Sequence, residues 1–171
     1  MRAIAQQLGF SAPAIYNYFL SKEEIFLTLQ ERGLQLMAEA VLTPATHDPL
    51  EDLRSIFVRY YQFTKTHPEY FTLLYVDPST PRINTEIEPL TRMTLETMAR
   101  LKRCTDAGVF PANTGTTVSV VLWSNVHGAA VLRQIQEVAP NQNFDTLAVA
   151  GLDTMIAAIR AGLLPEAFQK A

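Results

Sequence analysis

Cysteine is almost missing from this sequence. Cys104 stands alone, so an internal disulfide framework is excluded, and a lone thiol suits a reducing compartment. Positive charge is also in short supply. Fourteen lysines and arginines face seventeen acidic residues, a net charge of −3, so no basic field surrounds the molecule and any nucleic-acid contact must be local. The opening "MRAIAQQL" holds no apolar run long enough for a signal peptide, and the chain reads as cytoplasmic. Two long apolar stretches, about 113–136 and 144–164, are interrupted by Ser124, Asn125 and His127 in the first and by Asp153 and Arg160 in the second, which excludes membrane spans. Valine- and isoleucine-rich alternating segments are absent too, which argues against a sheet. The chemistry of catalysis is equally sparse. There is no histidine-glutamate metal helix, no cysteine pair and no phosphate-cradling glycine loop, and "GFSAP" lacks the second glycine of a nucleophile elbow. The reading is of a non-enzyme with no catalytic residue, no metal and no cofactor.

What is present is helical. Nearly half of the 171 residues are hydrophobic, enough for one domain, or a large domain with a small appendage. Ile4 and Leu8 share one face of a short helix closed by Gly9. Ser11 caps a second, with Pro13 in its first turn. Ser21 to Glu24 form a capping box for a helix reaching about Leu42, with Ile25, Leu29, Gly33 and Leu36 on its inward face. Asp48, Pro49 and Glu51 start another that breaks at Pro68. A short aromatic helix follows over 69–76, then a turn-rich connector. A helix over 90–106 stops at Gly108, and the two apolar segments complete the chain. Because those two are apolar nearly all round, a partner subunit is expected to cover one side of them, with Gly151 and Leu152 facing it.

Two short helices joined by Gly9-Phe10 fit a helix-turn-helix, whose second helix enters the DNA major groove. At 100° per residue, Ala12, Ile15 and Phe19 fall on one face and Pro13, Ala14 and Asn17 on the other, with Tyr16 and Tyr18 on the flanks. Asparagine can pair bidentately with adenine, and Ala14 is small enough to touch a thymine methyl. The phenols can reach phosphates without adding charge, and Lys22 lies at a helix start that itself favours phosphate. Either tyrosine alone would pass as core; the combination with the turn, the outward asparagine and the capped lysine is what points to operator DNA. The candidate DNA-binding set is therefore Ser11, Ala12, Pro13, Ala14, Tyr16, Asn17, Tyr18 and Lys22.

The stretch "MRAIAQQLGFSAPAIYNYFLSKEEIF" resembles the DNA-binding segment of tetracycline-repressor-like (TetR family) regulators. The pattern is carried by Ile4, Ala5, Leu8, Gly9, Phe10, Ser11, Tyr16, Phe19, Ser21, Lys22 and Glu23. "LWSNVHGAAVL" is similar to a stretch in the ligand-binding half of some members. The resemblance implies an all-α fold in which residues 1–26 form a partial helix-turn-helix lacking the family's first helix. Residues 27–171 would form an antiparallel helical bundle for effector binding and dimerisation.

The aromatic and methionine residues beyond that segment suit a mostly apolar pocket with sparse polar anchors. Phe57, Tyr60, Tyr61, Phe71, Tyr75, Met93, Met98, Trp123 and His127 are the candidate ligand-binding residues, and any one of them taken singly reads more readily as core. The aromatic clusters hold no lysine and only Arg59 as a cation, which favours a small neutral, apolar or aromatic effector. The expected function is a transcriptional regulator, a homodimer on double-stranded operator DNA released by that ligand. The alternatives are a DNA-binding dimer without an effector, and a small-molecule carrier or enzyme with a vestigial helix-turn-helix.

Overall fold

A computed structural model describes residues 2–44, 46–83, 86–135, 140–163 and 165, with the side chains of Arg2, Ala3 and Ala12 outside that description. The fold is all-α, and no β-strand forms among the described residues. A region of short helices, α1 (Arg2–Gln7) and α2 (Ala12–Tyr16), precedes a larger bundle. Gly9 has φ +72° between them, a left-handed turn that a side chain would disfavour. The Ser11 hydroxyl accepts from the Ala14 N–H as the N-cap of α2. That helix is shorter than the sequence suggests. Asn17 already caps its end, and the chain turns through Tyr18 and Phe19 before restarting.

The restart is α3 (Lys22–Val41). The Ser21 hydroxyl accepts from the Glu24 N–H at 3.1 Å, and the Glu24 carboxylate reaches back to the Leu20 N–H, one residue earlier than the usual reciprocal bond. Helix α4 (Pro49–Thr66) begins where Asp48 accepts from the N–H groups of Leu50 and Glu51. It ends at His67 and Pro68. A single turn, α5 (Pro68–Phe71), passes straight into a π-helical turn, Thr72–Val76. Three long helices complete the bundle: α6 (Glu88–Asp106), α7 (Thr117–Gln134) and α8 (Phe144–Arg160). Pro89 starts α6 rather than interrupting it, because a first-turn proline loses no helical hydrogen bond. Gly108 and Gly162, both with positive φ, follow the ends of α6 and α8.

Helix α4 is the centre of the bundle, packing against α3, α6, α7 and α8. Its buried stripe runs from Leu53 through Ile56, Phe57, Tyr60, Tyr61 and Phe63 to Thr64. On α3 the inward face differs from the sequence expectation. Gln30, Gly33, Leu34, Met37, Ala38 and Val41 are buried, whereas Leu29 is 41% exposed and Leu36 only partly buried. The rotation follows from a close approach at Gly33, where an added Cβ would lie 2.8 Å from the Tyr70 ring. The Gln30 amide donates to the Pro81 carbonyl at 2.8 Å, fixing the same face against the connector.

A second correction concerns α8. Leu152 is fully buried in the chain's own core, and a Cβ on Gly151 would lie 2.4 Å from the Asn125 amide of α7. Neither is free to face a partner. The apolar side chains left exposed on these helices are Val120 and Leu132 on α7 and Leu147 and Met155 on α8, with Ile135 just beyond α7.

One ionic cluster lies inside the bundle. Asp52 of α4 is 1% exposed and meets Arg100 of α6, 3% exposed, at 3.1 Å, with Arg103 on its other oxygen. Arg100 also donates to the Thr43 carbonyl at 2.6 Å and Arg103 to that of Thr46 at 2.8 Å, so the α3–α4 connection is tied to α6. Removing one member of a buried pair strands the other charge, at a cost of about 3–5 kcal/mol. Asp52→Ala is therefore expected to lose about that much stability in urea unfolding. Asp106→Ala, which breaks only the exposed Lys102–Asp106 pair, should cost under about 1 kcal/mol. Equal, small losses for both would refute the cluster's structural role.

Candidate nucleic-acid interface and ligand cavity

At the N-terminal end, the turn after α2 leaves Ser11, Pro13, Tyr16, Asn17, Tyr18 and Lys22 exposed. Tyr18 is the most open of the tyrosines there, at 81%. Lys22 begins α3 and lies over the Phe26 ring, 5.1 Å from its centroid, which steadies the one cation of that turn. The hydroxyl of Ser11 is already engaged by its cap, so its role in this surface is to shape α2. The expected separation of faces is only partly kept. Ala14 and Tyr18 border an apolar groove together with Ile4, Leu8, Phe10, Ile15, Phe19 and Ile25, while Pro13, Tyr16, Asn17 and Lys22 lie outside it. The cause is the early end of α2: beyond Tyr16 the backbone no longer advances 100° per residue. The side chain of Ala12 lies outside the described set.

The bundle holds a partly open cavity of about 240 Å³ among α3, α4, the π-helical turn, α6 and α7. Six of the nine sequence candidates line it: Phe57 and Tyr60 from α4, Tyr75 from the π-helical turn, Met93 and Met98 from α6, and Trp123 from α7. The other three do not. Phe71 is fully buried behind the wall, against Tyr75 and His127. His127 also sits behind it, 4.6 Å from the Trp123 ring and 5.1 Å from that of Tyr75. Tyr61 points elsewhere, donating to Asp145 at 2.9 Å with Arg133 near its ring. One residue along a helix is 100°, which is why adjacent Tyr60 and Tyr61 part company. Sequence reasoning missed Met37 and Val41, which bring α3 into the cavity wall, and the hydroxyls of Thr94, Thr97 and Ser119. The i, i+4 spacing of Met37 and Val41, one turn beyond Gly33, was the available signal.

Among the described residues, no charged side chain lines the cavity. The Tyr60 hydroxyl and Nδ1 of His127 share a hydrogen bond of 2.6 Å whose direction follows the imidazole tautomer. Burial favours the neutral imidazole by lowering its pKa, and it raises the Tyr60 phenol well above its ordinary value. Cys104 is buried, donates to the Pro49 carbonyl at 3.2 Å and is pushed up to about 11 by burial, so it behaves as a small core residue. Among the described residues, no group of three or more histidine, cysteine or acidic side chains could hold a metal ion, and no helix is long and apolar enough to cross a membrane.

A cavity inside a helical bundle, joined by one helix to an exposed helix-turn-helix, is the arrangement of a ligand-linked DNA-binding regulator. The family model for the tetracyclin repressor-like C-terminal domain matches residues 53–157, and that for bacterial regulatory proteins of the tetR family matches residues 1–29. This chain therefore belongs to the tetracycline-repressor-like family of DNA-binding regulators, whose members generally bind DNA as dimers and have ligand pockets. Solved structures share the fold. A protein of unknown function from Rhodococcus sp. RHA1 is 19% identical with a TM-score of 0.73, over 93% of this chain and 84% of that one. The TetR family transcriptional regulator PfmR from Thermus thermophilus is 24% identical with a TM-score of 0.70, over 90% and 85%. No curated protein matches at a significant level.

The neutral histidine gives a pH test. Its folded pKa lies below the ordinary value of about 6.5, so the unfolded chain binds the proton more readily. The stability it contributes is complete above pH ~6.5 and is lost as pH falls toward the folded value. Asp145 and Asp153, held below the ordinary carboxylate range by hydrogen bonds from Lys65 and Arg54, act only at lower pH. Thermal melts at pH 7.5, 6.5 and 5.5 should show a fall that His127→Gln, which keeps an acceptor for Tyr60, flattens. An unchanged slope in that variant would contradict a neutral, buried His127.

Proposed function

We propose that this chain is a repressor that a small, neutral, mostly apolar ligand releases from operator DNA in the cytoplasm. Residues 1–26 act as the reading head and residues 27–171 as the effector and dimerisation unit. Asn17 reads a base edge, and Ser11, Ala12, Pro13 and Ala14 form the surface beside it. Tyr16, Tyr18 and Lys22 hold phosphates. The observation that carries this reading is α3: one uninterrupted helix begins with Lys22 at the reading head and ends with Met37 and Val41 in the cavity wall. A ligand that prefers the state with a different head position lowers DNA affinity by its differential binding to the two states. Two copies related by a two-fold axis pair through the exposed apolar residues of α7 and α8, setting the heads about 34–36 Å apart or somewhat more.

Asn17→Ala should cost about 1–3 kcal/mol of discrimination at one base pair, measured by operator competition. Lys22→Ala should weaken all sequences alike and reduce the salt slope by about 1. Leu147→Glu with Met155→Glu should give monomers in light scattering while helicity persists. Operator affinity untouched by both head substitutions, or a dimer untouched by the charges on α8, would each remove part of the proposal. The direct test titrates promoter-bound protein with a panel of small apolar compounds: one or more should release it, and none doing so would refute the effector.

A further inference from the structure

We infer that the ligand carries one neutral hydrogen-bond acceptor, a carbonyl, ester or ether oxygen, and that the hydroxyl of Tyr75 is the donor that selects it. This rests on the reading of the cavity as the effector site. The argument is one of hydrogen-bond satisfaction. Thr94 donates to the Leu90 carbonyl at 3.0 Å, Thr97 to that of Met93 at 2.7 Å, and Ser119 to that of Thr116 at 2.7 Å. The Tyr60 hydroxyl is hydrogen-bonded to His127 Nδ1 at 2.6 Å. Each of these hydroxyls is hydrogen-bonded within the protein. Among the cavity hydroxyls Tyr75 is the exception, making no hydrogen bond to any described residue.

Tyr75 lines the same cavity as Tyr60, and both rings pack edge-on against Trp123. Burial alone acts on its acidity, pushing it up to about 12, so the proton stays on the oxygen at physiological pH and is available to donate. The Tyr75 side chain is only partly buried, so a ligand acceptor takes the place of water as the partner of its hydroxyl. A carboxylate is disfavoured, because no cation lines the wall and the anion would lose its hydration. Size agrees with a compact ligand. An apolar cavity of ~150 Å³ holds benzene, so one of about 240 Å³ has room for a ring with a short substituent.

The test uses acetophenone, ethylbenzene and benzoate, three probes of nearly equal size that differ in the acceptor and its charge. Calorimetric titration of the purified chain at pH 7.5 gives the affinities, and melting temperatures check them. The ratio of acetophenone to ethylbenzene affinity should fall about 2- to 12-fold in Tyr75→Phe, the worth of one hydrogen bond, while ethylbenzene binding is retained. Benzoate should bind more weakly than acetophenone. A ratio unchanged by Tyr75→Phe overturns the inference and leaves the cavity's role as a ligand site intact. Benzoate binding as tightly as acetophenone overturns it as well. If none of the three binds, the effector site itself is refuted and the inference falls with it.

Discussion

A helix of twenty residues is about 30 Å long and does not kink sharply unless its hydrogen-bond ladder is interrupted. Helix α3 is such a rod, and the rest of the molecule is arranged around where it is held. Midway along, Gly33 admits the Tyr70 ring and the Leu74 side chain against the backbone, and Gln30 grips the connector at Pro81. Beyond that contact lie Met37 and Val41 in the cavity wall; before it lies Lys22 at the helix-turn-helix. The segment that presses on Gly33 is the same one that carries Tyr75 into the cavity, by way of the π-helical turn. Such turns are uncommon and recur at functional sites. Both walls that meet at the fulcrum therefore touch the ligand space.

Two kinds of polar interaction divide the labour. The buried cluster of Asp52, Arg100 and Arg103 lies away from the cavity and fixes the α3–α4 connection to α6. Exposed pairs such as Arg54–Asp153 and Lys65–Asp145 join α4 to α8 across the outside of the bundle and are worth little individually. Among the described residues the cavity wall carries no charge, and the Tyr60–His127 bond lies just behind it. A pocket of that kind discriminates by shape and by single hydrogen bonds, since it offers no ion to balance a charged ligand.

Much of the architecture was legible because its signals are local. Ser11, Ser21 and Asp48 announce helix starts through side chains that meet N–H groups two or three residues away, and Gly9 and Gly108 announce turns that only glycine adopts cheaply. The all-α class and the family both follow from such features. What was not legible depends on contacts distant in sequence. The inward face of α3 is decided by Tyr70, and the separation of Tyr60 from Tyr61 by which neighbours α4 meets on each side. The burial of Asp52 is decided by two arginines some fifty residues later. Periodicity ranks a face as apolar; it does not say whether that face meets a cavity, the chain's own core or a partner. For the same reason Leu152 and Gly151 read equally well as partner-facing until α7 is seen against them.

The central claim is that occupation of the cavity moves the reading heads through α3. The direct measurement is the distance between spin labels placed at Leu20→Cys, a position 91% exposed at the head, in the two protomers of the dimer on a Cys104→Ala background. With a ligand bound, the distance distribution should shift away from the one seen on operator DNA. A distribution unchanged by a ligand that calorimetry shows to be bound would contradict the account.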